Sequence, residues 1–128
     1  MVRPIVDATA ATVVYHAHPR MSHIFEIADK YVADMAALNP LLATTIGAPG
    51  HEREMPDLSP AGPAAIADLN RRTLAQLDAA PLEAEPDRVA RDVMAERLRI
   101  AVEQYDASEY LRRLGIIGSP LQEVRQVF

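Results

Sequence analysis

Three times in this chain a helix-capping side chain stands directly before a proline: Asn39-Pro40, Ser59-Pro60 and Ser119-Pro120. Proline cannot donate an N–H and disfavours the α conformation at the residue before it, so a helix arriving from the amino side must stop there. The same proline suits the first turn of the next helix, one of whose orphan N–H groups the preceding Asn or Ser side chain can accept. A chain punctuated this way folds as helices joined at corners.

Between the corners the apolar residues keep helical time. Ser22 is a good N-cap, and Ile24, Ile27, Ala28, Tyr31, Met35 and Leu38 follow at helical spacing. Pro40 then opens a short second helix, with Asn39 as its cap and Gly47 as its stop. Residues 47–58 are rich in glycine, proline and charge and read as a loop. Ser59-Pro60 begins a third helix whose buried stripe is Ile66, Leu69, Thr73 and Leu77, with Gly62 and Pro63 making its first turn irregular.

The acidic linker Pro81 to Pro86 leads to the longest helix, expected from Asp87 to Leu114. Its inner face is read as Val89, Val93, Met94, Leu98, Ala101, Val102 and Tyr105, with Gly115 closing it. Asp87 and Arg91 are spaced for an i,i+4 surface pair. Ser119-Pro120 starts a last helix, with Gln122 at the capping-box position. The pattern as a whole predicts an all-α fold: an irregular bundle of about four to five helices, forming part of a larger helical domain.

Residues 1–20 differ in texture and are expected to be a non-helical amino-terminal extension. Thr12-Val13-Val14-Tyr15 has strand propensity but no visible partner strand. Met21 reads as the natural start, with 1–20 an upstream extension and 21–128 the amino-terminal helical portion of a larger domain. The last helix ends abruptly on Val127 and Phe128, so the chain is expected to be incomplete.

Composition narrows the class without naming an activity. Apolar residues make up 49% and charged residues 24%, which suits a globular protein of 128 residues. Aromatics are only 5% and tryptophan is absent, so Leu, Ile, Val, Met and Ala must build the core. With no cysteine there is no disulfide, thiolate or cysteine-zinc chemistry. A net charge of −5 argues against nucleic acid or an anionic membrane as a broad partner. No apolar run approaches the roughly 20 residues a membrane span needs, and the default expectation is a cytoplasmic protein.

Each chemically suggestive group has a simpler structural reading. His16 and His18 share a face if their segment is extended, with His23 nearby, but no carboxylate stands at a convincing spacing to complete a metal site. His51-Glu52 begins like His-Glu-x-x-His, in which two histidines one helical turn apart hold zinc. Here the fifth residue is Met55 and the segment follows Pro49-Gly50 in a loop, so a turn histidine that hydrogen-bonds to backbone or caps a neighbour is expected. The pairs Glu52/Glu54 and Glu83/Glu85 lie in polar loops where water keeps carboxylates ordinary. Ser22, Ser59 and Ser119 are assigned to capping rather than nucleophilic attack, and Arg71-Arg72 and Arg112-Arg113 to solvated helix faces. No catalytic, cofactor-binding or metal residue is therefore assigned.

Short elements in a fixed order carry a resemblance. Ile27-Ala28-Asp29-Lys30-Tyr31-Val32, Leu38-Asn39-Pro40, Ala43-Thr44, Gly47, Gly50-His51 and Asp57-Leu58-Ser59-Pro60 come first. Asp87-Arg88-Val89-Ala90, Glu109-Tyr110-Leu111 and Ser119-Pro120-Leu121-Gln122 follow. Over roughly residues 22–128 the chain resembles the start of the bacterial domain of unknown function 885 family. The resemblance implies a large, mostly helical, metallopeptidase-like hydrolase whose zinc motif, a His-Glu pair followed by Pro-Gly-His-His, lies far toward the carboxyl end. Pro49-Gly50-His51 echoes part of those letters but lacks the preceding His-Glu, so no metal or catalytic role transfers to it. What transfers is architecture: amino-terminal helices that pack on a catalytic half. Zinc is implied only for the longer parent, and the partner is expected to be the missing carboxyl-terminal part or, failing that, a second copy. The competing expectation is a freestanding helical interaction module without enzymatic activity.

Overall fold

A computed structural model describes residues 22–112 and 120–127, and all regular structure among them is helical. Five α-helices follow one another: α1 (His23–Leu38), α2 (Pro40–Ile46), α3 (Ala61–Ala79), α4 (Glu85–Asp106) and α5 (Pro120–Val127). A short 3₁₀ helix, η1 (Glu109–Arg112), follows α4. The expected all-α fold is thus observed. The 1–20 extension, the Thr12–Tyr15 strand, the His16/His18 pair, the Gly115 stop and the Ser119 cap lie outside the described residues.

The second and third helices begin as their cap–proline pairs require. The Asn39 side chain accepts the Leu42 N–H at 3.2 Å, with Pro40 in the first turn. Gly47 ends α2 in the left-handed conformation at φ 73°, its N–H returned to the carbonyls of the last turn. The Ser59 hydroxyl accepts the Ala61 N–H at 3.2 Å, and Pro60 already has helical dihedrals, so the cap role expected of Ser59 is filled.

Two boundaries depart from expectation. Ser22 stands at the N-cap position of α1 with extended dihedrals, but its hydroxyl makes no cap bond. It donates instead to Asp87 Oδ1 at 2.7 Å, sixty-five residues away. And α4 stops at Asp106 rather than Leu114, because Ser108 takes φ 57°, a left-handed turn without glycine, and the chain re-enters as η1.

The core forms where α3 lies between α1 and α4. Ile24, Leu77, Ala95 and Leu98 are its buried centre, with Ile27, Tyr31, Leu74, Ala80, Ala90 and Met94 packed around them. α2 folds back against α1, and Met35, Ala36, Leu41 and Ala43 are buried in that region. α5 in turn contacts α2. One polar tie crosses the interior: Tyr31 Oη donates to Asn70 Oδ1 at 3.0 Å, which lets the buried Asn70 sit between α1 and α3.

The inner face of α4 departs from the expected one in its first turns, while Ala101, Val102 and Tyr105 are half-buried further along. Met94 and Leu98 face inward as predicted, but Val89 and Val93 are each 55% exposed. The face is set instead by Asp87, only 3% exposed, followed at helical spacing by Met94, Ala95 and Leu98. Nor does Asp87 pair with Arg91; the Arg91 guanidinium bonds Asp92.

Candidate interaction surface

Asp87 is the most constrained charged group described. Its Oδ1 accepts the Ser22 hydroxyl, and its Oδ2 accepts the N–H of Glu83 at 3.0 Å and of Ala84 at 3.1 Å. At the third position of α4 it supplies half of a capping box; Ala84 has no side-chain acceptor, and only its carbonyl takes the Asp87 N–H. The Ser22 hydrogen bond, helped by the two backbone N–H groups, holds the carboxyl below its ordinary range against the opposing effect of burial. Three donors on a buried carboxylate leave little of it for a substrate. Asp87 is a structural latch joining the start of α1, the linker and the start of α4.

The loop that carried the suggestive histidine is a self-contained turn. His51 Nδ1 lies 2.8 Å from Glu54 Oε2, while the Glu54 N–H returns to the His51 carbonyl. Glu52 accepts the Gly50 N–H at 2.9 Å, and that bond lowers its carboxyl from the usual value. The expected turn is observed, but the His51 ring meets a carboxylate side chain rather than backbone. Met55, where a zinc motif needs a second histidine, is 49% exposed and lies outside any helix. Among the described residues no group of three His, Asp or Glu side chains could hold a metal ion.

The remaining sequence candidates are spread apart. His23 faces Glu26 at 3.4 Å on the exposed side of α1. Glu83 is exposed in the linker, and Glu85 pairs with Arg88 in the first turn of α4. Arg71 is more than a solvated face: it bonds Asp68 at 3.0 Å on its own helix and Asp106 at 2.6 Å at the end of α4. Its guanidinium also stands 5.6 Å from the centre of the Tyr105 ring, and Tyr105 stacks on Tyr110 at 5.3 Å. This ladder from α3 to η1 fixes where the chain turns after α4.

Beside the ladder lies a concavity with a volume of about 560 Å³. Its walls come from the end of α1, the 56–60 segment, α3, the last turns of α4, and η1. Leu38, Leu58, Ile66, Tyr105, Tyr110 and Leu111 make the lining mainly apolar. Leu58 and Leu111 are 69% and 66% exposed. Sequence reading missed this groove because it depends on the turn at Ser108, which brings Tyr110 and Leu111 beside residues 56–60. A hint existed in Asp57-Leu58 and Glu109-Tyr110-Leu111, whose apolar members fit no helical stripe.

Packing fixes the 56–60 wall through backbone. A Cβ on Gly62 would collide with the Asp57 carbonyl, so the segment lies against the first turn of α3 only because that residue is glycine. Asp57 also accepts the Ser59 N–H at 2.8 Å, and its carboxyl is lowered by its bonds to Ser59.

Residues 40–128 match the family described as "Bacterial protein of unknown function (DUF885)". The chain belongs to that family. The match begins at Pro40, just after α1, and takes in every groove wall except the end of α1. No curated protein matches the chain. Family membership agrees with the resemblance read from the order of short elements and carries no activity with it. No described helix is long and apolar enough to cross a membrane.

Proposed function

We propose that this DUF885 chain is a non-catalytic helical portion of a metallopeptidase-like hydrolase, serving as a wall on which the catalytic part packs. The observation that carries the reading is the apolar groove between residues 56–60, α3 and η1, with Leu58 and Leu111 left largely in water. Covering apolar surface stabilises by roughly 25 cal/mol per Å², so such a groove favours a partner. Family membership supports the choice of that partner, since the resemblance implies a zinc motif of the His-Glu…Pro-Gly-His-His kind distant from these residues.

The second reading is a freestanding helical interaction module. Val89, Val93 and Ile100, exposed at helical spacing on α4, favour it. Reading the coding DNA past Phe128 separates the two. A frame continuing to a His-Glu…Pro-Gly-His-His motif supports the hydrolase, and a stop codon directly after Phe128 defeats it in favour of the module. On either reading the 128-residue chain, purified and dialysed against zinc, is expected to retain less than one equivalent and to cleave no peptide. Stoichiometric zinc with peptide cleavage would overturn both.

A further inference from the structure

We draw no further inference here: the strongest candidate, the apolar groove between the 56–60 segment, α3, the end of α4 and η1, belongs to the surface already described, and nothing in the structure shows what covers it.

Discussion

At the scale of single residues, buried hydrogen bonding and close backbone approach decide more than the conspicuous histidine does. Asp87 is depressed by its Ser22 bond. An Asp whose folded pKa lies below its unfolded value of about 3.9 adds stability above that value and loses it as pH falls through the folded pKa. Asp87→Asn is therefore expected to melt below the parent at pH 7, with the difference shrinking as the pH drops below about 4. Thermal melts of both proteins across that range check it, and a difference independent of pH would refute the latch. Two glycines make a second comparison. Gly47→Ala meets open space and should cost about 1–2 kcal/mol for its left-handed backbone alone. Gly62→Ala gains helix propensity yet drives a methyl group into the Asp57 carbonyl. Urea denaturation is expected to rank it as the more damaging change.

At the scale of helices, boundaries held by local chemistry were legible, and faces set by distant partners were not. Asn39, Gly47 and Ser59 act within four residues of themselves, so reading their neighbours was enough. Ser22 has the same local signature, but its hydroxyl bonds a carboxylate that only the fold brings near. The turn after α4 hid for a related reason: Ser108 adopts a left-handed φ with no glycine or proline to announce it. The groove, which depends on that turn, was hidden with it. The inner face at the start of α4 is hard to read from sequence because a buried aspartate does not look like a core residue. Val93→Ala should accordingly stay within about 0.5 kcal/mol of the parent, whereas Leu98→Ala, on the buried side, should cost about 2–5 kcal/mol. Equal losses in chemical denaturation would restore the face read from sequence.

For the whole molecule, α1 matters beyond its place before the matched residues. Ile24 is 1% exposed in the same cluster as Leu77 and Leu98, and Tyr31 holds the buried Asn70. A chain beginning at Pro40 would expose that cluster and leave Asn70 and Asp87 without their hydroxyl donors. It is expected to lose the cooperative melting expected of a chain beginning at Ser22, as followed by circular dichroism, and two equal transitions would refute this. The wall along the groove has a different consequence. Its course depends on a carbonyl resting against a glycine and on backbone bonds around Asp57 and Ser59, while the Leu58 side chain lines the groove and stays largely exposed. A polar or charged residue at position 58 would therefore recolour the lining and change what the groove accepts, while the path beneath stays put.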